Sequence, residues 1–474
     1  MSSFYWYDLE TFGIDPKFDR IAQFAGIRTD LELNPIGSPD MFYCKTTLDT
    51  IVDPESCLIT GITPQECDEK GLLEKDFMQK INEIFCEPHS CVVGYNSMRF
   101  DDEFIRYSNY RNLIDPYYRE WANGNKRWDI IDVVRACYAL RPDGIQWPMH
   151  EEGKPSFKLT DLTTTNQLIH ASAHDALSDV EATIEVAKLI KSKQPKLFNY
   201  CLKLRDKSHV KSLLNWALLK PIVHISNKIP AERGCLAVML PLAIHPTNAN
   251  GVICYDLSYN PQDLFDLDVE EIQDRLYTPQ ADLPEGIDRI ALKTIHINKS
   301  PIICPLSVLK DVDLERIKLD YALNKQHLEM FKTSESLIAK VQNVFNQSFD
   351  DGNEDVDAQL YSGFFTPQDK SNFETILKLS EDKFCNKSFD FKDARAEELV
   401  WRFKARNFLE QLTTKEFAQW KSQVKSRLYE RFNQDLELWF AKLEYLKQSY
   451  NDTQQIQILS KVEMDTKNKL LRLS

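Results

Sequence analysis

Phe4-Tyr5-Trp6-Tyr7-Asp8-Leu9-Glu10-Thr11, at the start of the chain, sets two carboxylates one residue apart inside an aromatic and aliphatic run. In a strand, alternate side chains share a face, so Asp8 and Glu10 project together. Apolar residues on both faces predict a central strand, where an uncompensated carboxylate is costly. A divalent cation is the usual compensation for two carboxylates so placed. The stretch is a candidate metal platform that needs further ligands from downstream.

Two downstream segments offer them. In Gly94-Tyr95-Asn96-Ser97-Met98-Arg99-Phe100-Asp101-Asp102, a short buried strand over Cys91–Tyr95 runs into a turn and puts Asp101 at the start of the next helix. Ala173-His174-Asp175-Ala176-Leu177-Ser178-Asp179 leads into a helix running past Ile190 and ending before Pro195. Taken singly, each residue also has a plain structural use. Asp175 suits a helix N-cap, Asp179 suits the positive end of the helix dipole, and His174 suits the surface. Asp102 and Asp175, beside the stronger candidates, read as spectators.

The 474 residues are too many for one core and imply two to four domains. A net charge of −14 argues against indiscriminate binding to polyanions, yet leaves room for one local basic groove. Eleven cysteines, with no Cys-x-x-Cys pair, show neither a zinc spacing nor a disulfide framework and read as reduced thiols. No run approaches the roughly 20 apolar residues of a membrane span. The start of the chain has no signal-like apolar segment, and a functional Asp8 leaves no room for a removable one. The expectation is a soluble, cytoplasmic protein without membrane contact.

Ile21–Arg28 and Met41–Thr46 are strand-like, so the first three strands predict an antiparallel meander. Residues 64–86 read as helical, with Phe77, Ile81, Ile84 and Phe85 on one face. Helices are expected over Phe104–Tyr110 and from Asp129, giving a mixed α/β sheet domain to about residue 195. Between 196 and 347 the pattern turns to short strands: Pro221–Ile225, Cys235–Leu240, Gly251–Leu257 and Ala291–Ile297, with a helix near Asp268–Leu276. The acidic run Asp350–Asp355 reads as a linker. Beyond it, Phe417, Trp420, Val424, Leu428, Phe432, Leu436, Trp439 and Leu443 recur at helical spacing across Lys415–Tyr450, the core stripe of a helical bundle.

Taken in order, Asp8-x-Glu10 on a first strand, Asn96-x-x-x-Phe100-Asp101 after a later one and His174-x-x-x-x-Asp179 opening a helix resemble the three signatures of DEDDh-type 3′→5′ exonucleases. Ile59-Thr60-Gly61-Ile62-Thr63 is similar to the superfamily segment on which the terminal nucleotide packs. The likeness extends along the chain. Phe42–Lys45, Leu58–Glu66, Arg135–Pro142, Ile295–Lys299, Val356–Tyr361 and Lys404–Phe408 resemble the bacterial exodeoxyribonuclease I family. That resemblance implies an α/β architecture of three parts. A ribonuclease-H-like exonuclease domain (1–195) precedes an SH3-like β-rich domain (196–347) and a C-terminal α-helical domain (348–474).

The resemblance also implies a processive hydrolysis of single-stranded DNA to 5′-mononucleotides, serving repair and recombination. Two Mg²⁺ ions, with Mn²⁺ as the alternative, would sit about 4 Å apart, held by the hard oxygens of Asp8, Glu10, Asp101 and Asp179. His174 would take the proton of the attacking water. Lys158 stands where the family often has Arg, keeping a cation near the phosphate without bidentate geometry. Cations interleave with aromatics through 106–128, which suits stacked bases. Of these, Arg106, Tyr117 and Trp121, together with Arg135, Glu10, Thr60 and Gly61, are the implied strand contacts, and Asp357–Phe365 is a candidate loop over the entrance. Arg141, Tyr200, Lys220 and Lys325 match positions that dock the acidic, Phe-ended tail of single-stranded-DNA-binding protein; the expected state is a monomer. A DEDDh exoribonuclease keeps the chemistry and changes the substrate. The two extra domains weigh against it. A proofreading subunit lacks its polymerase-like section, and an inactive strand-binding scaffold would not need all four carboxylates and the histidine.

Overall fold

The computed structural model describes residues 2–170, 175–331, 337–347, 355–431 and 436–474. These fall into two compact units: residues 1–125, 171–181 and 350–474 form one, and 126–170 with 182–349 the other. The candidate platform lies in the first.

There β1 (Ser3–Thr11) is central, as its apolar faces require. It pairs antiparallel with β2 (Ile21–Thr29) and parallel with β4 (Ser90–Gly94), while β2 pairs antiparallel with β3 (Asp40–Tyr43). The unit's strand order is β3-β2-β1-β4. Tyr5, Tyr7 and Leu9 enter one core with Phe24, Phe42, Phe77, Phe85 and Phe104. On the other face Trp6 donates from Nε1 to Thr29 Oγ1 at 2.8 Å, so its one polar atom is satisfied.

The helical stretch expected over 64–86 is two helices, α2 (Pro64–Lys70) and α3 (Glu74–Phe85), which follow α1 (Pro54–Thr60). Sheet hydrogen bonding interrupts the periodicity. Leu72 N donates to Tyr43 O at 2.9 Å, and Lys45 N donates to Leu72 O at 2.8 Å, drawing residues 71–73 into extended pairing beside β3. Past β4, Asn96 takes the left-handed conformation (φ 63°) that opens the turn into α4 (Asp101–Arg111), a conformation Asn tolerates better than most residues.

Residues 355–474 return to this sheet. The helical spacing over 415–450 corresponds to the helices Thr414–Arg431 and Leu436–Ser449, and Phe432 lies outside the described residues. The rest of the stripe is core as expected. Trp420, Val424, Leu428, Trp439 and Leu443 join Ile458, Leu459 and Val462 of the last helix (Thr453–Leu473) against Phe12, Ile51, Val52 and Cys57. Trp439 Nε1 donates to Val52 O, and Lys469 Nζ to Thr50 O.

A buried ion network fixes the same junction. Arg406 and Arg427 both reach Asp49 (2.9 and 3.1 Å) and both bind Asp357, which is fully buried. Asp355 takes Arg402 and Arg427, and Arg20 adds a longer contact to Asp49 at 3.5 Å. Asp357–Phe365, read from sequence as a loop, therefore begins as a turn (Val356–Tyr361) pinned at Asp357; its far end leaves Phe364 81 % exposed.

In the second unit five antiparallel strands run in the order Ile302–Pro305, Ile222–Ile225, Leu236–Ile244, Gly251–Asp256, Leu292–His296. Leu236–Ile244 runs longer than expected through an irregularity between Pro241 and Ala243. Ile302–Pro305, hidden in sequence by the prolines on either side, completes the sheet. Asp268 and Glu271 form a capping box on the helix Val269–Tyr277. All eleven cysteines are free thiols, and among the described residues no helix is long and apolar enough to cross a membrane.

Burial alone would raise Asp49 and Asp357, but Arg406 leads the surrounding arginines in holding both carboxyls well below the usual range. A depressed carboxyl adds stability above its unfolded value, near 3.9, and loses it as pH falls through the folded one. Asp357→Asn leaves buried guanidinium charge uncompensated and should cost about 3–5 kcal/mol, read as a lower urea midpoint at pH 7. The deficit should shrink at strongly acidic pH.

Candidate metal centre

Asp8 and Glu10 alternate along β1 and share a face, as expected. They meet Asp179, and the three offer carboxylate oxygens that all lie within 4.8 Å of one another. Just past Glu10 the β1–β2 register shifts, an irregularity of the kind that re-aims side chains at strand ends. Asp179 stands in the first turn of the helix Ala176–Lys193. Asp175 caps that helix, accepting from Ser178 N at 3.0 Å, so its structural reading holds.

Asp101, first residue of α4, is 5 % exposed and lies outside the group of three. It still bears on the site electrostatically. Burial and then the charges of Asp101, Glu10 and Asp179 push the Asp8 carboxyl well above its ordinary range. Burial, then Asp179 and Asp101, push Glu10 up to about 9. The strongest influences on the pair are thus loss of water and other carboxylates. A donor set of hard oxygens, crowded until its members resist ionisation, fits a divalent cation. His174 lies outside the described residues.

Thr60 and Gly61 end α1. Gly61 takes φ 72°, open to glycine at little cost, and donates to Cys57 O to close the helix. The preceding Ile59 is consequently presented 59 % exposed. Ile59, Thr60 and Gly61 line a cleft of about 520 Å³ together with Tyr43, Asp175 and Gln455.

The expected strand contacts differ sharply in availability. Trp121 is 67 % exposed, its ring edge-on to Tyr118. Arg106 is instead buried, forked onto Glu120 (2.8 and 3.0 Å) and bonded to Glu103 at 2.6 Å. Its guanidinium lies 5.4 Å from the Tyr117 ring centre. Among residues of the second unit, Arg135 is buried, paired with Asp132 at 2.7 Å and set over Phe157, while Lys158 is exposed. Arg141 lies 3.6 Å from the exposed Asp311, and both Arg141 and Tyr200 act on Cys304. Tyr200 donates to Ile303 O, Lys220 is exposed, and Lys325 sits over the Tyr321 ring.

Sequence reading passed over Asp102. It is buried and bonded to Tyr7 and Arg119. The available signal was adjacency: Tyr7 precedes Asp8, and Asp102 follows Asp101.

The Exonuclease family matches residues 5–187, the stretch that supplies Asp8, Glu10, Asp101 and Asp179. The Exonuclease I SH3-like domain matches 205–347, and the Exonuclease I C-terminal domain matches 354–465. Exodeoxyribonuclease I of Haemophilus influenzae is 44 % identical over 90 % of each chain. The structure of a moderately thermophilic Exonuclease I from Methylocaldum szegediense superposes with a TM-score of 0.94, at 45 % identity over the whole of both chains. The zinc-bound complex of E. coli Exonuclease I with single-stranded DNA superposes equally, at 0.94, with 39 % identity over 99 % of this chain and all of the other. This chain belongs to the exodeoxyribonuclease I family.

A carboxyl raised on folding contributes stability that is complete below its unfolded value and lost as pH rises through the folded value. Metal-free protein should therefore lose stability between about pH 4.5 and 9 on account of Glu10. Glu10→Gln should remove part of that loss. In EDTA at pH 8.5 the variant should melt above wild type, by roughly 1–2 °C for each kcal/mol of repulsion relieved.

Proposed function

We propose that this protein is a Mg²⁺-dependent, processive 3′→5′ exonuclease that cuts single-stranded DNA to 5′-mononucleotides in repair and recombination. The observation that carries the reading is the convergence of Asp8, Glu10 and Asp179 on one point, with Gln23, the strand partner of Glu10, lining the Thr60–Gly61 cleft. Likeness over the full chain to an enzyme held in complex with single-stranded DNA supports the substrate.

Asp8, Glu10, Asp101 and Asp179 would hold two Mg²⁺ ions, or Mn²⁺ in their place. Bound there, the pair supplies charge relief to the phosphate, an activated water and a stabilised leaving oxygen. The chain's own residues do the rest. His174, five residues before Asp179, takes the proton from the attacking water. Glu10 also faces the substrate, and Ile59, Thr60 and Gly61 bear on the terminal nucleotide. Trp121 and Tyr117 offer faces for bases. Arg106, committed to Glu103 and Glu120, and Arg135, committed to Asp132, act on the strand through the rings they hold rather than by free charge. Lys158 serves the phosphate directly, so binding weakens with salt.

The three-part division at 195 and 347 belongs to the same reading, as do a monomeric state and a cytoplasmic location. Docking of the acidic tail of single-stranded-DNA-binding protein at Arg141, Tyr200, Lys220 and Lys325 rests on cations beside an apolar strand end, the chemistry such a tail requires.

With Mg²⁺, 5′-labelled single-stranded DNA should shorten stepwise from its 3′ end, while duplex DNA and RNA of the same sequence persist. EDTA or Asp179→Ala should abolish the ladder. Activity surviving Asp179→Ala would sink the metal assignment, and shortening of RNA at an equal rate would move the substrate to RNA. For the tail, Arg141→Ala should weaken binding of a labelled tail peptide by about tenfold, roughly the 1.4 kcal/mol of one charge-assisted contact. Equal binding removes Arg141 from the site.

A further inference from the structure

Tyr7 and Asp102 stand beside the metal platform without belonging to it. Tyr7 immediately precedes Asp8 on β1 and, by strand alternation, points to the opposite face. Asp102 immediately follows Asp101 at the start of α4. The Tyr7 hydroxyl donates to Asp102 Oδ1 at 2.8 Å, and Arg119 Nη2 donates to the same oxygen at 2.6 Å. All three residues are at most 2 % exposed.

The remaining contacts close the cluster into a ring. The Arg119 guanidinium lies 5.0 Å from the centre of the Phe85 ring, and Phe85 meets Tyr7 edge-on at 4.9 Å. Arg119 Nε and Nη1 are buried without a hydrogen-bond partner among the described residues. Its compensation therefore rests on Asp102, and the pair is held in one geometry: pulling Asp102 away would strand a buried cation.

We infer that Asp102 is a positioning residue for the metal centre. Through Tyr7 and Arg119 it braces the start of α4 against β1 and so sets the separation of Asp8 and Asp101. Each acid stands one residue from an end of a buried hydrogen bond. Neither backbone can slide without stretching that bond, which adds a directional tie to the apolar packing of Phe104 and Ile105 against Tyr5, Tyr7 and Leu9. A brace of this kind matters most for a crowded carboxylate set. A rigid frame keeps such donors close when no cation holds them together. Partners that orient metal ligands in this way are typically worth 10–100-fold in metal affinity.

The inference rests on the metal reading above, and the test separates the two. Wild type, Tyr7→Phe, Asp102→Asn, the double variant and Asp8→Asn are titrated with Mn²⁺ alone, without DNA, by calorimetry. Melting temperatures with and without Mn²⁺ accompany each titration. Tyr7→Phe and Asp102→Asn should each weaken Mn²⁺ binding about tenfold or more. The double variant should lose less than the two single losses multiplied together, because in Asp102→Asn the amide oxygen still accepts the Tyr7 hydroxyl but without the charge that strengthens that contact. In cleavage assays the Mg²⁺ concentration for half-maximal rate should rise by a similar factor, with kcat recovered at high Mg²⁺. Loss of packing alone would lower the melting temperature and leave metal affinity unchanged. Tyr7→Phe removes a single hydroxyl, so it decides the matter if Asp102→Asn does not fold. Wild-type affinity in folded Tyr7→Phe, beside lost binding in Asp8→Asn, overturns the brace and leaves the metal centre standing. No Mn²⁺ binding by wild type overturns both.

Discussion

Carboxylates taken out of water are what the first unit is arranged around, and it treats them in two opposite ways. At Asp49 and Asp357 every buried negative charge is met by arginine, and the carboxyls stay ionised well into acid. At Asp8 and Glu10 the strongest neighbours are more carboxylates, and ionisation is resisted. The same cost of burying a charge is cancelled in one place and left standing in the other. Where it is cancelled, the chain is cemented. Where it stands, the site is destabilised in the way that functional sites commonly are.

The braced pair Asp102–Arg119 lies between these extremes. Its carboxylate neighbours the crowded set in sequence yet is itself met by Arg119, so α4 carries at successive positions one acid that raises its neighbours and one held by a cation. Helical geometry turns successive side chains about 100° apart. One residue can then face the crowded centre while the next enters the core.

The metal strand was legible because it breaks a simple rule: acids do not sit in apolar central strands without a reason. Ordered partners downstream gave that anomaly its meaning, and the fold brings the Asp179 carboxylate to Asp8 and Glu10. Two things were not legible. Helix periodicity over 64–86 could not announce the break at Gly71–Leu73, because backbone pairing with Tyr43 and Lys45 is a tertiary event. Nor could composition show that Arg106 and Arg135 spend their charge on Glu120 and Asp132, since a cation in sequence looks free until its neighbours are known. Asp102 was dismissed for the same reason. Its partners, Tyr7 and Arg119, lie 95 and 17 residues away.

The core that seats Phe12, Ile51, Val52 and Cys57 is finished by Trp420, Trp439 and the last helix. A chain emerging from the ribosome therefore presents the floor of this unit hundreds of residues before its roof exists. Apolar surface around α1 must wait, exposed and prone to aggregation, through synthesis of the entire intervening unit. A message broken near its end, or a stalled ribosome, would yield a polypeptide that holds Asp8, Glu10, Asp101 and Asp179 but lacks the helices that complete its core, and the apolar floor left open would be a target for proteolysis.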